Sequence, residues 1–90
     1  MWFGTNDGLN KYDGYNFTIY KHSNINKYSL TNSAIESIYE DKSGNLWIGT
    51  ENGLNLYDRN NDHFIHNADW PQGEIMDFLE IEDGRWFISI

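Results

Sequence analysis

Ninety residues carry six Lys and Arg against fourteen Asp and Glu, a formal charge of −8, with 17% aromatic side chains and no cysteine. The charge argues against a surface that tracks nucleic-acid phosphates or an anionic membrane, both of which need clustered Lys and Arg. The missing cysteines exclude a disulfide framework and a thiolate metal site, and the aromatic content argues against disorder. The length allows one small domain at most. No apolar run approaches the length of a membrane span, and the start lacks a signal-peptide pattern.

The chain opens on WFGTNDGLNKYD, and the same phrase returns at Trp47 as WIGTENGLNLYD. Eight of the twelve aligned pairs are identical, so this is an internal repeat. Because the first copy begins at Trp2, inside the repeat, the start looks like a cut boundary. WFGT and GLNKYD suit two strands joined by the turn Asn6-Asp7-Gly8, and FTIY at Phe17 to Tyr20 suits a third. Lys21 to Thr31 follows as a polar loop. The next segment, from Leu30 to Tyr39, holds two periodicities. Leu30, Ala34 and Ile38 have helical spacing, with Ser29 or Thr31 as caps. The later copy IMDFLEIED, close before a Gly turn, favours a strand instead, and a strand is expected.

Lys42-Ser43-Gly44-Asn45 then makes a turn into Leu46-Trp47-Ile48. This apolar run is expected of a strand covered on both faces. Glu51-Asn52-Gly53 turns the chain into Leu54 to Asp58, and Phe64 to His66 supplies a fourth segment after a turn two residues longer than in the first copy. Asn67 to Gly73 is a second variable loop. Ile75 and Phe78 then correspond to Ile35 and Ile38, Gly84 to Gly44, and Trp86 to Trp47. The spacing from Trp2 to Trp47 is 45 residues, and from Trp47 to Trp86 it is 39.

Four short strands in 40 to 45 residues is the period of a propeller blade. The expected fold is therefore all-β, about two four-stranded antiparallel blades that form part of a larger or oligomer-completed propeller. Residues 1–20 are expected to form a partial blade of three strands, residues 21–66 a complete blade with its preceding loop, and residues 67–90 the start of the next. The repeated Trp2, Gly4, Thr5, Gly8, Leu9, Trp47, Gly49, Thr50, Gly53, Leu54 and Trp86 read as structural positions. Trp47 is expected to be buried, and the Gly of each copy to leave room for close packing.

The phrases IESIYEDKSGNLWIGTENGLNLYD and WFGTNDGLNKYD resemble the two-component regulator propeller repeat. The middle copy follows that pattern from Ile35 to Asp58, including Glu40-Asp41, Gly44, Trp47 to Thr50 and Gly53-Leu54. The last copy departs, since Phe-Ile-Ser-Ile follows Trp86 without the Gly-Thr. The resemblance implies large seven-bladed propellers, often two in tandem. These make up the periplasmic sensor region of hybrid two-component systems, common in gut Bacteroidetes and responsive to oligosaccharides. It also implies that a histidine kinase and a regulator lie elsewhere in a longer parent chain.

Chemistry-bearing residues give little beyond this. His22, His63 and His66 show no zinc-ligand spacing and read as solvated turn histidines. Asp41 to Asn45 lacks the alternating ligands of a calcium loop, and the acids at Glu40-Asp41, Asp58 to Asp62 and Glu80 to Asp83 read as hairpin chemistry rather than paired catalytic carboxylates. Gly4-Thr5 and Gly49-Thr50 lack the lysine and strand-loop-helix setting of a phosphate cradle. No catalytic residue, metal or cofactor is expected in this segment. Trp70, outside the repeat pattern, is the one candidate for contact with a ligand, and ligand binding would use the loops at Lys21 to Thr31 and Asn67 to Gly73. Expected partners are neighbouring blades or other copies of the chain. Three or four copies would build a ring of about six to eight blades. The rival reading is accordingly a structural assembly module.

Overall fold

The computed structural model describes residues 1–67, 69–82 and 85–89. Among them there is no helix, and nine strands follow in chain order. Strands β1 (Trp2–Thr5), β2 (Gly8–Tyr12) and β3 (Phe17–Tyr20) form one antiparallel sheet. Strands β4 (Ile35–Glu40), β5 (Leu46–Thr50), β6 (Gly53–Asp58) and β7 (His63–Ile65) form a second, in that order. Strands β8 (Asp77–Glu82) and β9 (Arg85–Ser89) pair as a third. The helical spacing from Leu30 to Ile38 is thus overridden, and the segment from Ile35 runs as a strand.

Turn chemistry explains the hairpins. Thr5 Oγ1 accepts from the Asp7 amide at 3.0 Å and donates to the Gly8 carbonyl at 3.3 Å. Thr50 repeats this with Asn52 at 3.0 Å and Gly53 at 3.2 Å. The hydroxyl clamps a two-residue turn, which is why Gly-Thr-x-x-Gly recurs as a unit. Between β4 and β5 the Asp41 carboxylate accepts from the amides of Ser43 and Asn45, an Asx-type turn.

The main core lies between the first and second sheets, with Leu30 of the intervening loop folded into it. Leu9, Ile48, Tyr57 and Phe64 are buried there, and Trp2, Tyr20 and Ile38 pack at its border. Pairing fixes the faces. Trp2, Gly4, Leu9 and Tyr20 of the first sheet look towards Ile48, Tyr57 and Phe64 of the second, while Trp47 and Leu56, cross-strand partners, look towards the third. The register of both sheets repeats, for Tyr12 pairs with Phe17 as Tyr57 pairs with Phe64.

The third sheet departs from the repeat. Ile38 faces Ile48 in the second sheet, so its counterpart Phe78 should face Phe87, but it faces Ile88. A shift of one residue turns side chains to the opposite face. Trp86 therefore stacks towards the second sheet, 5.0 Å from Trp47 and 5.4 Å from Tyr39, and does not occupy the place that Trp2 and Trp47 hold in theirs. The expected turn at Asp83-Gly84 lies outside the described residues.

Candidate functional site

Two glycines form the joints between sheets. A Cβ added at Gly4 would run into the Ile35 side chain of the next sheet. At Gly49 it would stand 2.7 Å from both Cγ2 and the carbonyl oxygen of Ile75. Gly4 and Gly49 are repeat equivalents, as are Ile35 and Ile75, so the same joint is built twice. Hydrogen bonds secure the second one. Ile75 donates its amide to the Thr50 carbonyl at 2.9 Å, and Ser37 Oγ donates to the Ile75 carbonyl at 3.1 Å.

Further out, the seam between the first two sheets is aromatic. Trp2 meets Tyr57 edge-on at 4.8 Å, Tyr20 meets Phe64 at 5.3 Å, and the Lys11 ammonium lies 5.4 Å from the Trp2 ring centre. Tyr20 and Tyr57, from different sheets, both donate to Asp62 Oδ1 at 2.6 Å. These bonds, Tyr20's foremost, hold the Asp62 carboxyl below its ordinary range. Burial, followed by the bond to Asp62, pushes the Tyr20 phenol well up. Asp62 sits in the two residues by which this turn exceeds its counterpart, with φ of 53°. The sequence comparison located the insertion but offered no reason for it.

Trp47 is half-buried rather than fully buried. Its indole Nε1 donates to Asp41 Oδ2 at 2.9 Å, and its ring packs on Trp86 and, at 5.4 Å, on Trp70. Burial raises the Asp41 carboxyl, but the bonds from Trp47, Asn45 and Ser43 together outweigh it and leave the group below its ordinary range. Trp70 is likewise half-buried and meets Trp47 edge to face.

At the end of the sheets that carries the β5–β6 turn, the loops form a cavity of about 430 Å³. His22, Asn26, Thr31, Asn52, His66 and Gln72 are among its walls. Beneath it lies a buried polar network. Asn55, fully buried, accepts from the Thr31 amide at 3.1 Å and donates to Thr31 Oγ1 at 2.9 Å, and Thr31 Oγ1 also meets Thr50 Oγ1 at 2.9 Å. The network anchors the cavity floor because an unpaired buried amide would cost more than the bonds return. Asn55 is one of the repeated identities, and that was the only signal of it in the sequence.

The histidines are less free than expected. His63 lies in β7, is 3.2 Å from Asp58 Oδ2 and stacks on Tyr28 at 4.3 Å. His22 Nδ1 is 2.7 Å from the Leu30 carbonyl and Nε2 is 2.8 Å from Asn24 Oδ1. The Leu30 carbonyl, then Asn24, raise its affinity for a proton. His22 and His66 keep the exposed character that the sequence suggested, and His63 is half-buried. Among the described residues the three do not cluster. Instead Glu36, Glu51 and Glu74, far apart in sequence, bring carboxylate oxygens within 4.8 Å of one another beside the second joint. These are the residues that could hold a cation. Burial, and then the charge of Glu74, raise the Glu36 carboxyl.

Sheets of three and four antiparallel strands, stacked face to face through a repeated glycine joint, are propeller blades. The family model for the two component regulator propeller matches residues 29–52, the stretch that runs from the loop through β4 and β5 to the clamped turn. The match supports a propeller region of the sensor type, whose repeat is a non-catalytic structural unit. No curated protein matches the chain.

Proposed function

We propose that this chain is a segment of the propeller sensor region of a hybrid two-component signalling protein, taking in a signal at its loop face and performing no reaction itself. The observation that carries the reading is the cavity of about 430 Å³ walled mostly by amides, hydroxyls and imidazoles, with Lys27 as its one charged side chain, from the flanking loops and the β5–β6 turn. Neutral donors and acceptors of this kind suit a polyhydroxylated ligand, because each sugar hydroxyl both donates and accepts. The overall charge of −8 disfavours an anionic one. An oligosaccharide is thus the ligand class we assign. The signalling role and a periplasmic location rest on the family resemblance. Residues within the same ligand-facing loops differ from one blade to the next, whereas the joints repeat, which suits a scaffold that varies only where it binds.

Amide-resolved NMR titration with a panel of neutral oligosaccharides tests this. Shifts confined to residues 22–31, 51–52 and 66–72, and lost in the Asn52→Ala/Gln72→Ala double variant, are the expected result. An intact fold whose loop signals never move across the panel would count against the reading.

A further inference from the structure

The loop between β3 and β4 supplies most of the cavity wall, and little apolar surface holds it in place. Leu30 near its end is 1% exposed, whereas Ile25 at its tip is 98% exposed. Polar bonds across the neck of the loop close it instead. Ser23 donates its amide to Ser29 Oγ at 2.9 Å, and Ser29 Oγ donates to the Ser23 carbonyl at 3.1 Å. Beside that pair the His22 ring spans the same neck, with Nδ1 2.7 Å from the Leu30 carbonyl. The His22 amide donates to Ser33 Oγ at 2.9 Å, so the ring reaches across from a secured backbone.

The two ring contacts together select a protonation state. A carbonyl oxygen only accepts, so Nδ1 carries hydrogen whether the ring is charged or neutral. Nε2 faces a second oxygen, Asn24 Oδ1, at 2.8 Å. Both nitrogens donate only in the imidazolium. Loss of the Nε2 proton leaves a lone pair aimed at that oxygen, and the Asn24 amide has to turn over or draw away. The bond to Leu30 survives as a neutral bond, about half as strong as a charge-assisted one. Asn52 of the β5–β6 turn, His66 and Gln72 from the far side, and Lys27 of the loop itself face the same cavity. Among the described residues no carboxylate lines it, and the adjacent Lys21 is paired with Asp7 at 3.1 Å. The loop's own oxygens are therefore what answers a charge on His22, and closing the loop is what brings them there.

We propose that His22 is a proton-operated latch on this cavity: as imidazolium it bolts residues 23–29 into the wall, and as neutral imidazole it lets them open. The latch adds regulation to the cavity read above as the ligand face, and its consequence for binding rests on that reading. Linkage fixes the direction. The closed loop raises the proton affinity of His22, through the Leu30 carbonyl first and then Asn24. The contribution to closure is thus complete below the ordinary value of 6.5 and is lost as the pH rises through the higher closed-state value. A ligand that needs the wall binds best on the acid side.

Ligand-free NMR on the ninety-residue chain tests the latch by itself. Amide exchange, corrected for intrinsic rates, is followed at Ser23, Tyr28 and Ser29, whose N–H groups are bonded within the loop. The range is about pH 5 to 8, where an imidazole changes charge. Protection at these amides is expected to fall several-fold as His22 deprotonates, while protection in β5 and β6 holds. His22→Gln keeps a donor for Leu30 but takes up no proton, so its loop should show no pH step. Asn24→Ala, at an exposed position, should lower the titration midpoint of the His22 ring and shrink the step. Wild-type protection that ignores the His22 titration overturns the proposal. So does a step that persists in His22→Gln, or a His22 midpoint that Asn24→Ala leaves unmoved. A neutral oligosaccharide that shifts the loop signals should bind more weakly as the pH rises through the same midpoint, and an affinity independent of pH overturns the regulatory role. If no oligosaccharide binds, the ligand reading fails, and the exchange data still decide the latch.

Discussion

Tyr12 and Tyr57 stand at the same place in the repeat, each followed by Asp and each paired across the sheet with a Phe. In the second sheet that pair is in the core: Tyr57 is 7% exposed and Phe64 is buried beneath Tyr20. In the first sheet the rings stack on each other at 4.6 Å with solvent beyond them. Strand pairing and register are alike, so neither decides burial. What differs is the presence of another sheet. A blade is thus a local structure whose stability is lent by its neighbour, as in other repeat architectures.

Truncating the two equivalent phenylalanines tests this contrast most severely. Phe64→Ala should cost about 3–5 kcal/mol, the usual penalty for removing a packed ring. Phe17→Ala, measured by urea unfolding at concentrations where the chain is monomeric, should stay within about 0.5 kcal/mol. Equal costs would mean that the first sheet's outer face is also covered. Trp47→Ala should cost about 3 kcal/mol, at the low end of the range for aromatic truncation because the ring is only half-buried. The loss should include the order of the β4–β5 turn, seen as faster amide exchange at Ser43 and Asn45, since Asp41 loses its indole donor.

The joint comes next. Gly49→Ala places a methyl group against Ile75 and Ser37 and should cost about 1–3 kcal/mol by overpacking. The third sheet should loosen first, with Trp86 fluorescence and exchange in β8 changing before the second sheet's. Gly4→Ala tests the equivalent joint against Ile35, and there the first sheet should loosen instead.

Asp62→Asn probes the polar clasp of the aromatic seam. Two tyrosine hydroxyls lose a charged acceptor, an effect of about 1 kcal/mol after solvent screening of this exposed carboxylate. The same group gives a pH signature. Its folded-state proton affinity is lowered, so its contribution is complete above the ordinary carboxyl value of 3.8 and is lost as the pH falls through the lower folded value. Tyr20 is raised, so its contribution holds below the ordinary value of 10.0 and is lost as the pH climbs towards the folded value. Wild-type protein should therefore lose stability at both extremes, and Asp62→Asn should flatten the acid limb. The smallest effect is expected from Glu74→Gln. Relieving repulsion among Glu36, Glu51 and Glu74 should raise the melting temperature slightly at neutral pH, and the gain should shrink as acid protonates Glu36.

Much of this architecture could be inferred from local signals. Alternating apolar residues, the Gly-Thr-x-x-Gly turn and the repeat period are set by neighbours within a few positions, and they led to an all-β chain of antiparallel strands in propeller blades. The segment after Leu30 was ambiguous for the same reason, since its helical and strand spacings are both local and only pairing with β5 selects one. Trp86 shows the limit from the other side. Its place in the repeat was clear, but the pairing of β8 with β9 is offset by one residue and turns it to the opposite face. The candidate site was less legible still. Cavity walls come from loops that the repeat does not constrain, and Trp70 could be singled out only for lying outside the pattern, with no sign of its edge contact with Trp47.

By itself, then, the sequence determined the unit: which stretches extend, where they turn, and which positions recur from copy to copy. Those features depend on backbone geometry and side-chain alternation, whose range is a few residues. Tertiary structure alone decided which copies of a face are dry. It placed Asp62 between tyrosines from two sheets and gathered three glutamates from distant segments beside one joint. Burial and electrostatic proximity depend on distances through space, and no spacing along the chain encodes them until the sheets have stacked.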